Sequence, residues 1–253
     1  MVKLIWFILL ASRIYANTII ELKKDNFISL REPISQESSA RLLSKLNNIE
    51  SKHETLYLYI NSPGGDVLAG LEIINYIKSL QQRNKKVICI AHNAISMAFV
   101  IFQYCSHRYI LYSSTLMQHQ MYLGIKGKLQ EINSRMSYLN ILETKLNQEQ
   151  ALRLNMSLPD FTQIIQNDWW LYGDSIIYNK AADEIISFFC SFENYEETVS
   201  INTLFGDVTI KYSACPLINY PIDIKFPSLN LGEERKKEFM DSHIHFTKKL
   251  LVI

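Results

Sequence analysis

The sequence carries almost no excess of charge: 26 Lys and Arg stand against 25 Asp and Glu, a formal net charge of +1 over 253 residues. A strongly basic surface of the kind nucleic acid requires is therefore absent. The four cysteines, Cys89, Cys105, Cys190 and Cys215, lack the paired spacing of a thiolate metal site. No apolar run is long enough to cross a bilayer, since the longest at the N-terminus is Leu4 to Ala11. The chain has no internal repeat, no low-complexity stretch and no Gly-Lys-Ser/Thr phosphate loop. What is present is the composition of a packed globular protein, 48% apolar and 20% charged.

Lys3, the apolar run after it and the small residue Ala16 form the pattern of a secretory signal peptide over 1–16. Arg13 and Ile14 are unusual so close to a cut, and the alternative is a buried or partner-docking segment. The leader would place the chain in the secretory pathway or at a membrane; without it the cytoplasm or an organelle remains. Cys89 and Cys105 lie in apolar runs and read as small core residues. Cys190 and Cys215 can pair in an oxidising compartment, which the sequence leaves open.

From Asn26 the pattern is α/β. Phe27 to Leu30, Leu56 to Ile60 and Val87 to Ala91 read as strands, followed by Arg108 to Tyr112 and Thr115 to Met117. Helical periodicity marks Ser35 to Ile49, Val67 to Leu80, Ser96 to Tyr104 and a long polar-rich segment, Leu129 to Leu154. Ser157, with Asp160 three residues on, has the form of a helix cap. Strands alternating with helices imply βαβ units and a largely parallel sheet. Beyond Phe192 the character changes: Thr198 to Ile201 and Val208 to Tyr212 flank Gly206-Asp207 as a hairpin, and Glu233 to Ile253 has an amphipathic helical pattern. The expected organisation is a leader over 1–16, a main domain over 17–192 and an extension over 193–253.

Four places could carry chemistry. Asn61-Ser62-Pro63-Gly64-Gly65-Asp66 follows a buried strand and opens a helix. Its glycines allow positive φ and close approach, so an amide there can face a developing negative charge, unless the turn is only structural. Ser96, within Ala94-Ile95-Ser96-Met97-Ala98, also opens an apolar helix; read singly it is a helix N-cap sooner than a nucleophile. His119 follows a short apolar strand, and Asp168 precedes Trp169-Trp170. Each has a bland alternative, a structural histidine and a surface turn or cap. A carboxylate held beside a histidine fixes its tautomer and stabilises the imidazolium.

In this order the segments resemble those of the Clp protease proteolytic subunit (ClpP) family. Leu56 to Gly65 resembles its signature strand and turn, and Ala94 to Ala98 its Ala-Ala-Ser-Met-Gly motif. Met117-Gln118-His119-Gln120 resembles Met-Ile-His-Gln-Pro, and Asp168-Trp169-Trp170-Leu171 falls at the family's aspartate. The resemblance runs from about Asn17 to Phe192. It implies a ClpP/crotonase-like fold of repeated βαβ units with a long handle helix, here followed by a C-terminal extension. It implies a serine endopeptidase in which Ser96 is nucleophile, His119 base and Asp168 orienter, with the amides of Gly65 and Met97 as oxyanion hole. It further implies self-association into stacked rings that enclose a chamber, peptide or unfolded protein as substrate, and no metal or nucleotide in the peptidase. ATP would enter only through a separate unfoldase partner. Leu123-Gly124-Ile125-Lys126-Gly127 resembles the family's Gly-rich strand before the handle helix.

The chain departs from the family in Ala98 for Gly, in Met121 for the Pro after His-Gln, in Tyr172-Gly173-Asp174, and in its longer tail. Rival readings are a membrane-associated or secreted relative using a serine-lysine dyad through Lys126 or Lys128, a crotonase-like acyl-CoA enzyme, and a non-catalytic ring subunit. The sequon Asn155-Met156-Ser157 would matter only in a secretory compartment, and Ser157 is accounted for as a cap.

Overall fold

The computed structural model describes residues 18–192, 196–203, 206–218 and 221–226. The leader expected over 1–16 and the helix expected over 233–253 lie outside them.

A six-stranded sheet organises the chain. Its central strands are β2 (Phe27–Leu30), β3 (Thr55–Ser62), β4 (Lys86–Ile95) and β5 (His107–Gln118), all parallel and in chain order. On β3 the side chains alternate: Leu56, Leu58 and Ile60 enter one core, and Tyr57 and Tyr59 face another. Strand β4 is buried on both faces, with Cys89 and Ala91 in the first core and Ile90 in the second. That burial accounts for its unbroken apolar run.

Three helices connect these strands and fill the first core. The hydroxyl of Ser35 caps α1 (Gln36–Glu50) by accepting from the Ser38 amide. The carboxylate of Asp66 caps α2 (Val67–Gln82) by accepting from Ala69 N–H at 2.7 Å. Both satisfy amides that a helix start leaves without an intrahelical acceptor. Ile73, Ile74, Ile77 and Leu80 of α2 pack inward, and every residue of α3 (Met97–Gln103) is buried.

The two short strands expected after α3 are one strand, β5, with an interruption. Ser114 Oγ donates to Ala91 O at 2.6 Å and accepts from Leu111 N–H at 2.7 Å, so a buried hydroxyl bridges a gap in the ladder. The first half of β5 pairs with β7 (Glu184–Ile185), and the second half pairs antiparallel with β6 (Trp169–Tyr172). Between them lie α4 (Leu129–Arg153), α5 (Leu158–Ile164), capped by Ser157 as expected, and α6 (Asp174–Tyr178). The C-terminal half of α4 is packed, through Leu142, Leu146, Asn147, Gln150 and Ala151. The sheet's second face is covered by β1 (Ile19–Leu22), which pairs in parallel with β8 (Ser187–Cys190); Ile20, Leu22 and Phe188 meet Tyr59 and Ile90 there.

The change of character near 192 falls between β8 and the hairpin of β9 (Glu196–Thr203) and β10 (Gly206–Ser213). A third strand, β11 (Pro221–Lys225), joins it. The Arg31 guanidinium donates to the carbonyls of Ser213, Ala214 and Ile218, and a disulfide joins Cys190 to Cys215.

Two expectations change. Cys89 and Cys105 are buried, but they are bonded to each other; β4 and the end of α3 bring their Cα atoms to 5.8 Å. Leu123 to Gly127 forms no strand, because the ladder with β6 ends at Gln118 and the following residues find no backbone partner strand among the described residues.

Candidate active site

The C-terminal ends of β3, β4 and β5 converge on one place, as open α/β sheets favour for a site. Asn93 Nδ2 donates to Asn61 Oδ1 at 2.8 Å, which aligns the ends of β3 and β4. The turn after β3 is then fixed by backbone bonds on both sides of Gly65. Ile34 N–H donates to Gly64 O at 2.8 Å, and Asp66 N–H donates to Ile34 O at 2.9 Å. Gly64 has φ +84° and lies against the start of α3. A Cβ there would stand 2.5 Å from Ile95 O and 2.8 Å from Met97 N. Gly65 has φ +145°, and a Cβ would stand 2.2 Å from Ile34 O. The glycine pair is thus required by packing, not only by turn geometry.

Ser96 sits between β4 and α3 with φ 56° and ψ −123°, a conformation that non-glycine residues rarely adopt. Its amide donates to Met117 O at 2.8 Å, which holds the turn against β5. The hydroxyl makes no capping bond to α3. It lies instead 2.8 Å from Nε2 of His119. Of the two readings open in the sequence, the cap is the one that the geometry removes: the side chain is turned away from the helix amides. The amides of Gly65 and Met97 donate to no acceptor among the described residues, and both line the cavity that contains Ser96 and His119.

Asp168 is placed differently. It is exposed and makes no hydrogen bond or ion pair among the described residues. The β5–β6 ladder ends at the pair Gln118 and Trp169, the immediate neighbours of His119 and Asp168. The Asp168 carboxylate does not bond the imidazole. Lys126 and Lys128 are exposed, and neither bonds Ser96.

The cavity beside Ser96 has a volume of about 220 Å³. Sequence reading missed its lining. Glu143, Asn147 and Gln150 project from one face of α4 at helical spacing, and Gln118 closes the pocket from β5. Gln118 Nε2 donates to Gln150 Oε1 at 2.7 Å, and Gln118 Oε1 accepts from the His119 amide at 3.2 Å. Glu143 Oε1 accepts from Met121 N–H at 3.1 Å, a donor that a proline at this position would lack. The available signals were Gln118 and Met121 themselves, which stand where the resembled motif has Ile and Pro.

A larger groove of about 740 Å³ lies between the C-terminal ends of α2 and α4. It contains no nucleophile bonded to a base: Ser106 Oγ accepts from Val87 N–H and from the Gln81 amide. The nearby Tyr104 phenol is pushed up by burial and by Glu149, as befits a packed hydroxyl.

A parallel sheet with crossover helices thus brings a serine on a strained strand-to-helix turn to hydrogen-bond distance of a histidine, at the C-terminal ends of the strands. The family model described as Clp protease matches residues 12–187, and the chain belongs to the Clp protease family. It is 27% identical over 171 residues to the ATP-dependent Clp protease proteolytic subunit 2 of Parasynechococcus marenigrum (strain WH8102), covering 65% of this chain and 85% of that protein. The ATP-dependent Clp protease proteolytic subunit of Streptococcus salivarius is 29% identical over 175 residues, covering 66% of this chain and 87% of its own length. The same figures hold for that of Streptococcus thermophilus (strain LMD-9).

Proposed function

We propose that the chain is a serine endopeptidase in which Ser96 attacks a peptide carbonyl. The observation that carries this is the 2.8 Å contact between Ser96 Oγ and His119 Nε2, made by a hydroxyl that declines the helix cap. His119 takes the hydroxyl proton as the Oγ–C bond forms, and returns it to the leaving amine as the C–N bond breaks. The oxyanion is met by the amides of Gly65 and Met97, which have no acceptor to give up among the described residues. Water, deprotonated by His119, then releases the acyl group. Asp168 acts as the orienter of His119 once its side chain turns toward the imidazole from the end of the β5–β6 ladder. None of these steps calls for a metal or nucleotide.

The relatives' names describe proteolytic subunits of an ATP-dependent protease. By that likeness the chain self-associates into a ring chamber and receives unfolded protein from a separate ATP-driven unfoldase. A fluorophosphonate probe should label the intact chain, and Ser96→Ala should abolish both labelling and peptide cleavage. Undiminished labelling of the variant refutes the assignment. Native mass measurement should show a closed multimer.

A second reading is favoured by one observation: Asp168 is exposed and unbonded to His119. The chain would then be a non-catalytic ring subunit, and the intact protein would assemble without reacting with the probe.

A further inference from the structure

The cavity next to Ser96 is not an apolar slot. Met97, Val100 and Leu146 supply one wall, while Gln118, Asn147, Gln150 and Glu143 supply polar atoms. Asn147 is only 8% exposed, yet its side-chain amide makes no hydrogen bond among the described residues. Its polar atoms are not sealed off from solvent, so they can bond a group that enters the cavity. One carboxylate oxygen of Glu143 accepts from Met121 N–H, and Glu143 forms no ion pair among the described residues. No Lys or Arg lines the cavity.

From this we infer that the cavity is the pocket for the substrate residue on the acyl side of the cleaved bond, and that it selects lysine or arginine. The inference rests on the serine-peptidase reading and adds its specificity. The aliphatic stem of such a side chain lies along Met97, Val100 and Leu146, and its terminal N–H groups meet the oxygens of Asn147 and Glu143. A leucine in the same place leaves Asn147 and the second carboxylate oxygen of Glu143 without a donor, and the loss of such bonds discriminates strongly between substrates. An acidic side chain is repelled by the Glu143 carboxylate. The Gln118–Gln150 pair, 4% and 1% exposed, is spent internally and fixes the floor.

The test uses the full chain and peptide substrates differing only in that residue: Lys, Arg, Leu, Phe or Glu. Diphenyl phosphonates with lysine-like or leucine-like groups give the same comparison as a labelling rate at Ser96. Lys and Arg should exceed Leu by at least about tenfold in kcat/KM and labelling rate. Glu143→Gln retains an acceptor for Met121 N–H and removes the charge; it should reduce that preference by at least about tenfold. Asn147→Leu should move the preference toward Leu. Wild-type preference for Leu or Phe overturns the inference even if the variants fail to fold, as does an undiminished Lys/Arg preference in folded Glu143→Gln. Those outcomes leave the peptidase reading intact if fluorophosphonate still labels Ser96. Loss of that labelling in the wild type overturns both.

Discussion

Gly64 shows how tightly the turn at Ser96 is specified. Its hydrogen faces Ile95 O and Met97 N, where a Cβ would lie at 2.5 and 2.8 Å. Gly64→Ala must therefore push the α3 start away while also adopting positive φ. It should lower the melting temperature by several degrees, corresponding to about 1–3 kcal/mol, and suppress labelling of Ser96. Thermal unfolding and probe kinetics on one preparation check both effects. Asp168 poses the opposite case, a residue just beyond the end of the β5–β6 ladder with its carboxylate in solvent. If it orients His119 during turnover, Asp168→Asn should lower kcat by about a hundredfold or more. A loss below about threefold would leave Ser96 and His119 as the complete apparatus. Ser96, His119 and the glycine pair were legible because each sits in a short contiguous motif at a strand end. Gln118, Glu143 and Asn147 were not, because their meeting depends on how α4 lies over the end of β5.

At the level of elements, the strands and helices of the central sheet could be read from alternation and helical period. The additions concern contacts that local pattern does not encode. The pairing of β1 with β8 joins segments at opposite ends of the main domain, and Ser114 hides one strand as two. The Cys89–Cys105 disulfide was missed because apolar neighbours describe a buried thiol and a buried disulfide equally well. It links β4 to the end of α3 across 16 residues, while Cys190–Cys215 links β8 to the residue just past Ala214 across 25. By the entropy of loop closure each bridge stabilises the fold by about 3 kcal/mol. Reduction in mild denaturant should consequently lower the unfolding midpoint, and peptide mapping under non-reducing conditions should return these two pairs. A midpoint insensitive to reductant, with free thiols in the map, would contradict both.

Across the whole molecule, Asp183 ties together parts of the chain that are distant in sequence. It accepts from the Arg108 amide at 2.8 Å and from the Arg108 guanidinium, and Arg153 at the end of α4 lies 3.5 Å away. Burial pushes its carboxyl up, but the bonds and charge of Arg108, with Arg153, outweigh this and hold it below the usual carboxylate range. The sign follows directly. A group with a lowered folded pKa stabilises the fold above its unfolded value and loses that contribution as pH falls through the folded one. Stability should drop on acidification below about pH 4, and Asp183→Asn should flatten that part of the curve. Chemical denaturation at a series of pH values measures it; an unchanged acid limb in the variant would count against the assignment.

The grip of Arg31 on Ser213, Ala214 and Ile218 has a consequence for any shortened form of the chain. Three residues further along, Ile34 clamps the Gly64–Asp66 turn. At about 3.5 Å per residue, no more than about 11 Å of backbone separates the two handholds. The segment around Ser213 to Ile218 is therefore moored close to the Gly64–Asp66 turn. A truncation ending before Ser213 would deprive Arg31 of three carbonyl acceptors and Cys190 of its partner. Its damage would then register first as a loosened turn beneath Ser96, long before the central sheet gave way.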